Sequence, residues 1–207
     1  MSGLGADERA FQSVDFSGYS TTYIRWIIPI DKETIEHYTA RLLDQIRTEK
    51  PILIGLSFGG LIAIEIAKQI ETEKVIIISS CKTKNEVPFY LRFAGQVGLH
   101  KLLPASLLKS SNILSHWFFG TSSIFDIQIL NQMLFDTNPI FLKWAIEKVL
   151  LWKNQTLPKN IFHIHGTKDR LLPLKFVNCQ VNVKNGGHFM ILNKADELNK
   201  ILRQEMS

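Results

Sequence analysis

Cysteine is nearly absent from this chain: Cys81 and Cys179 are its two thiols in 207 residues. So sparse a pair makes neither a metal-spaced motif nor a disulfide framework, and a reducing cytoplasm is the compartment expected. Long hydrophobic runs are missing too. No apolar stretch reaches the roughly eighteen residues that cross a bilayer, so no membrane span is expected. The first residues, Met1-Ser-Gly-Leu-Gly-Ala-Asp, lack a basic region followed by an apolar one, so no secretory signal is expected. Basic residues are never bunched. The formal net charge is +5, yet lysines and arginines are scattered and aromatic residues do not alternate with them. That is the pattern of a solvated surface, and nucleic acid is not an expected partner. Repeats and low-complexity tracts are lacking as well.

What is present is the composition of a globular protein, 45% hydrophobic and 21% charged, of a length that suits one domain over 1–207. Its organising stretch is Pro51-Ile-Leu-Ile-Gly-Leu-Ser-Phe-Gly-Gly-Leu-Ile-Ala-Ile-Glu-Ile-Ala67. The apolar run Ile52 to Ile54 enters a glycine-bracketed serine, and Leu61 to Ala67 continue as a buried helix would. A strand, a sharp turn and a helix place Ser57 at the apex. Small neighbours let strand and helix approach closely, and the helix start offers free N–H groups to developing negative charge.

Around it the chain alternates. Residues 7–13 read as a short helix with Phe11 and Val14 turned inward. Tyr23 to Ile30 is β-rich and reads as a strand ending near Pro29. Asp31 is placed to cap a helix from about Lys32 to Arg47, with Ile35, Tyr38, Leu42, Leu43 and Ile46 inward. A strand at 51–56, a helix at 59–71 and a doubly buried strand from Lys74 to Ser79 follow. Strands alternating with helices predict an α/β fold, a mostly parallel sheet flanked by helices. From 81 to 157 the rhythm breaks into Phe-, Leu- and Trp-rich sequence with turn signals at Pro88, Pro104, Gly120 and Asn138-Pro139. This is the pattern of a helical insertion, its last helix running from Pro139 to about Lys153 behind the Asn138 cap. The sheet resumes with Ile161–His165 and Asn178–Val183, and a final amphipathic helix starts at Asn193.

A serine hydroxyl is a weak nucleophile until a base takes its proton, and the base needs a partner to hold its tautomer. Asp169, in His165-Gly-Thr-Lys-Asp169, and His188, in Asn185-Gly-Gly-His-Phe189, both follow predicted strands. Parallel strands open their C-terminal ends on one sheet edge, so Ser57, Asp169 and His188 are expected to converge there. Asp126 and Asp136 are alternative acids without a strand before them. His163 and His165 lie two apart on a strand and face the same way. That is also metal-ligand geometry, but no carboxylate or cysteine cluster accompanies them, so no metal is expected. Phe89, Tyr90, Phe93, Trp117, Phe118, Phe119 and Trp144 read as packing of the insertion; lining a cleft over Ser57, they would favour an apolar acyl group.

The elbow Gly-Leu-Ser-Phe-Gly, the loop His-Gly-Thr-Lys-Asp and the late Gly-Gly-His together resemble the α/β-hydrolase superfamily. The likeness runs from residue 2 to the C-terminus and is weakest over 81–157, where that family inserts a helical cap. It implies Ser57 as nucleophile, His188 as general base and Asp169 as the acid that orients it. It implies an oxyanion hole from the Phe58 amide and from Leu4, because Ser2-Gly3-Leu4-Gly5 resembles the family's His-Gly-x-Gly loop with serine in place of histidine. The family's strand leading into that loop, a central one, has only Met1 and Ser2 in its place. The expectation is a serine hydrolase of carboxylic esters or thioesters on a small-molecule substrate with an apolar acyl group. It needs no metal or organic cofactor. The alternative is a catalytically silent relative that binds an apolar ligand or a protein.

Overall fold

The computed structural model describes residues 1–102, 119–120 and 123–206. Its centre is a four-stranded, all-parallel sheet in the order β1 (Ile52–Leu56), β2 (Lys74–Ile78), β3 (Ile161–Gly166), β4 (Val181–Val183). Alternate side chains of β2 enter opposite layers. Val75 and Ile77 pack with Tyr38, Leu42, Leu61 and Ile62 on one side, Ile76 and Ile78 with Leu198 and Leu202 on the other. Burial on both faces is why the strand reads as an unbroken apolar run.

Among the described residues the α-helices are α1 (Ile35–Leu42), α2 (Phe58–Ala67), α3 (Phe89–Gln96), α4 (Ile124–Asp136), α5 (Pro139–Leu150), α6 (Met190–Asn193) and α7 (Ala195–Met206). Helix α2 is apolar on nearly every side because it is covered all round: Phe58 to Ile66 are all buried, between the sheet and helices α1 and α5, and its one charged residue there, Glu65, is paired with Lys68 and the Trp152 indole. Asn138 caps α5 as expected, its Oδ1 accepting from Ile140 N at 2.8 Å with Pro139 in the first turn. The described part of 81–157 carries α3, α4 and α5; Pro104, Trp117 and Phe118 lie outside the described residues. Among the described residues no helix is long and apolar enough to cross a membrane.

Two expectations are corrected. Tyr23–Ile30 is not a strand: no strand is assigned there and no ladder partner lies beside it. Side chains replace the ladder. The Gln45 amide closes both backbone groups of Arg25, at 2.9 and 3.0 Å. The Tyr38 hydroxyl does the same for Ile27, at 3.1 and 3.0 Å. Nor does Asp31 cap α1. Lys32 turns to φ 56° and the Glu33 carboxylate folds back on Ile30 N, so Thr34 becomes the cap and accepts from His37 N. The Glu33 carboxylate also pairs with Arg41, one helix face away, which fixes that start. Helix α2 and β4 are shorter than predicted, and the 7–13 segment is a single 3-10 turn, Glu8–Phe11.

The first residues do hold a place beside the sheet. Leu56 N donates to Met1 O at 3.0 Å and the Met1 amino group donates to Ile54 O at 2.8 Å, on the edge of β1 away from β2. Burial pushes that amino group's pKa down to about 5. Beyond this contact, toward Ile52, the strand borders a cavity of about 450 Å³ that residues 19–24 and 45–51 also line.

Candidate active site

The turn after β1 is built by close packing. A Cβ on Gly55 would fall within the backbone of Gly59 and Gly60, so strand and helix meet across a position that only glycine fits. Ser57, between them, adopts φ 50° and ψ −117°, a conformation that costs a non-glycine residue of order 1–3 kcal/mol. Its carbonyl is held by Gly60 N at 2.9 Å and by the Ser80 hydroxyl at 2.7 Å. The side chain is thereby aimed away from the sheet.

Two further loops come to the same edge. Lys168 N donates to Gly186 O at 2.8 Å and Thr167 N to Val183 O at 3.0 Å, tying the loop after β3 to the loop after β4. Gly166 permits the approach, since a Cβ there would collide with the Gly186 backbone. Asp169 and His188 are thus brought together, 4% and 2% exposed. His188 Nδ1 meets Asp169 Oδ2 at 2.7 Å and His188 Nε2 meets Ser57 Oγ at 2.8 Å. The other carboxylate oxygen, Asp169 Oδ1, accepts the amides of Leu171 and Leu172 at 2.9 and 2.8 Å. A carboxylate that can only accept fixes the proton of His188 on Nδ1, leaving Nε2 free to accept from the serine. Of the alternative acids, Asp136 pairs with Arg9 and Asp126 sits in the first turn of α4; neither bonds His188.

Phe58 opens α2, so its N–H has no intrahelical acceptor, and among the described residues it donates elsewhere to none. The first loop lies alongside: a Cβ on Gly3 would sit 3.5 Å from Ser57 Cβ. That loop is closed by Ala6 N on Gly3 O at 3.1 Å and by the Ser2 hydroxyl on Ala6 O at 2.7 Å. The Trp26 indole N–H reaches the same Ala6 oxygen at 3.2 Å. Ser2 therefore uses its hydroxyl within the loop. The Leu4 amide also donates to no described residue.

Ser80 and the Leu171 and Leu172 amides escaped the sequence reading as parts of this site, whereas Phe119 was among the aromatic residues weighed for a cleft over Ser57. The Phe119 ring lies 5.9 Å from the His188 ring and its carbonyl accepts from Phe189 N at 2.9 Å. None carries a motif; each acts through a fold contact or a backbone atom. Cys81 is buried, and burial together with Glu86 and Asp169 pushes its thiol well up, away from the thiolate that reactive cysteines need. His163 and His165 face each other at 3.3 Å, and the second bonds Leu172 O.

No family model matches the chain, and no curated protein matches it. Solved structures do. An N-acyl homoserine lactonase, AidH, complexed with N-butanoyl homoserine, aligns at TM-score 0.66 and 17% identity over 99% of this chain and 86% of that one. An esterase from Exiguobacterium antarcticum aligns at 0.60 and 17%, over 99% and 90%. Epoxide hydrolases of the alpha/beta hydrolases superfamily, from metagenomes of hot environments, align at 0.60 and 15%, over 100% and 88%. At such identities the likeness is one of fold.

Proposed function

With the α/β-hydrolase fold as its frame, this chain is, we propose, a serine hydrolase of carboxylic esters or thioesters. The observation that carries the reading is the unbroken line Ser57 Oγ–His188 Nε2 and His188 Nδ1–Asp169 Oδ2, at 2.8 and 2.7 Å. His188 takes the serine proton as Ser57 Oγ attacks the acyl carbon. The carbonyl electrons move onto oxygen, where the Phe58 and Leu4 amides receive the charge. His188 then returns the proton to the leaving alcohol or thiol, and Asp169 balances the imidazolium meanwhile. In the second half His188 draws a proton from water as it attacks the acyl carbon, and returns that proton to Ser57 Oγ as the acyl–oxygen bond breaks and the acid leaves. A carboxylate nucleophile, as dehalogenation would want, is not present at position 57. Phe119, its ring 5.9 Å from that of His188, favours an apolar acyl group on a small substrate, with the insertion 81–157 acting as a cap. The chemistry needs no metal or organic cofactor.

A fluorophosphonate probe tests it. Labelling of the folded protein is expected to vanish in Ser57→Ala and to fall at least about 10³-fold in His188→Ala. Folded wild-type protein that stays unlabelled would instead make the chain a silent binding relative.

A further inference from the structure

Two buried histidines take no part in the chemistry above. His163 and His165 are both fully buried on β3, one strand repeat apart. Their protons can be assigned from their partners. His165 Nε2 lies 2.8 Å from the Leu172 carbonyl, which can only accept, so Nε2 carries the hydrogen. Its Nδ1 is then a bare acceptor, and His163 Nε2, at 3.3 Å, must be the donor to it. His163 Nδ1 forms no hydrogen bond of good geometry among the described residues, although the Asn178 and Ser80 backbones stand near the ring. Both rings are neutral. Burial, then His165 and Lys82 nearby, push His163 down to about 2, and burial lowers His165 against the pull of Asp169.

The same Leu172 whose carbonyl takes the His165 proton donates its amide to Asp169 Oδ1 at 2.8 Å. His165 Nε2 also stands 3.4 Å from Asp169 Oδ2, the oxygen that receives His188. One N–H thus touches both ends of the turn that wraps the carboxylate. We propose that His165 is a positioning residue: by clamping Leu172 O beside Asp169 Oδ2 it sets the carboxylate against His188, and through it the basicity of the imidazole facing Ser57. This rests on the proposed hydrolase reading for its consequence in rate, but its geometry stands without it. The titratable groups facing His165 are His163, Asp169 and His188.

The test compares His165→Leu, which has no donor, with His165→Gln, whose amide reaches the Nε2 position, and His165→Asn, whose amide reaches only Nδ1. The probe-labelling rate is measured against pH, together with the downfield proton resonance of the His188–Asp169 hydrogen bond. In the Leu and Asn variants the plateau rate is expected to drop about 10–100-fold, the magnitude that follows a small misplacement of a catalytic group. The pH midpoint is expected to move down and the downfield proton to weaken or disappear. His165→Gln is expected to restore most of the rate and the resonance. Folded Leu and Asn variants with wild-type rate, midpoint and resonance overturn the proposal. So does equal damage in all three variants, which is what a mere packing role predicts. If the wild type is not labelled at all, the hydrolase reading has failed. The proton resonance then decides alone: present in wild type and Gln but lost in Leu and Asn supports the clamp, and any other pattern overturns it.

Discussion

At Ser57 a single residue carries both strain and chemistry. Its φ of 50° and ψ of −117° are set by β1 entering and α2 leaving through a gap that excludes a Cβ at Gly55. The strain belongs to the side-chain-bearing residue, so removing the Cβ relieves it. Ser57→Gly is expected to be more stable than Ser57→Ala by about 1 kcal/mol, despite the greater freedom of glycine in the unfolded chain. Urea denaturation of the two variants measures this. A Gly variant weaker than the Ala variant would mean that the elbow is relaxed. Ser80 belongs at this scale as well, since its hydroxyl holds the Ser57 carbonyl without any feature of sequence to distinguish it from Ser79.

Among elements, the segment 23–30 shows how a strand-like sequence stays unpaired. Its β-branched and aromatic residues suit an extended backbone, but a ladder needs a neighbour at about 4.8 Å. Met1 occupies that flank of β1 near Leu56, and farther along the strand borders the cavity. The unpaired groups therefore turn to helix α1 and the short turn after it, where Tyr38 and Gln45 close them. Tyr38 is fully buried, whereas the Gln45 bonds are exposed. Tyr38→Phe leaves the Ile27 N–H and C=O without a partner and is expected to cost about 1–3 kcal/mol. Gln45→Ala lets water take over and is expected to cost about 0.5 kcal/mol or less. Chemical denaturation of the two variants separates them; equal losses would show that the hydroxyl does not replace a ladder.

For the whole molecule, the buried bases shape the response to acid. The folded value of His163 is about 2 against 6.5 for the free group, and that of His165 is lowered in the same sense. Below pH 6.5 the unfolded chain therefore takes up protons that the native chain refuses, and stability falls as pH falls. The limiting slope is about 1.4 kcal/mol per pH unit for each histidine. The Met1 amino group, down from 8.0 to about 5, adds the same sign at higher pH. Glu86, raised by burial, opposes it just above 4.5. His163→Gln is expected to lower the slope between pH 6.0 and 5.0 by up to about 1.4 kcal/mol per unit. Urea unfolding at the two pH values reads it, and an unchanged slope would remove His163 from the account.

The amino-acid order determined by itself whatever rests on local pattern. Apolar runs mark β1, β2 and β3, the cap at Asn138 begins α5, and the glycine-bracketed Ser57 announces a strand–turn–helix. Asp169 and His188 were legible because parallel strands must all deliver their following loops to one edge. Tertiary structure alone decided the rest. Whether Tyr23–Ile30 pairs depends on what lies beside it, and whether α1 starts at Lys32 or Ile35 depends on where the Glu33 carboxylate finds its partners. The supports of the site, from the Ser80 hydroxyl to the Leu172 amide and the His165 ring, are hydrogen bonds between segments far apart in the chain or between backbone atoms every residue possesses. Such bonds exist only once folding has set their distances, so no pattern of residue types announces them.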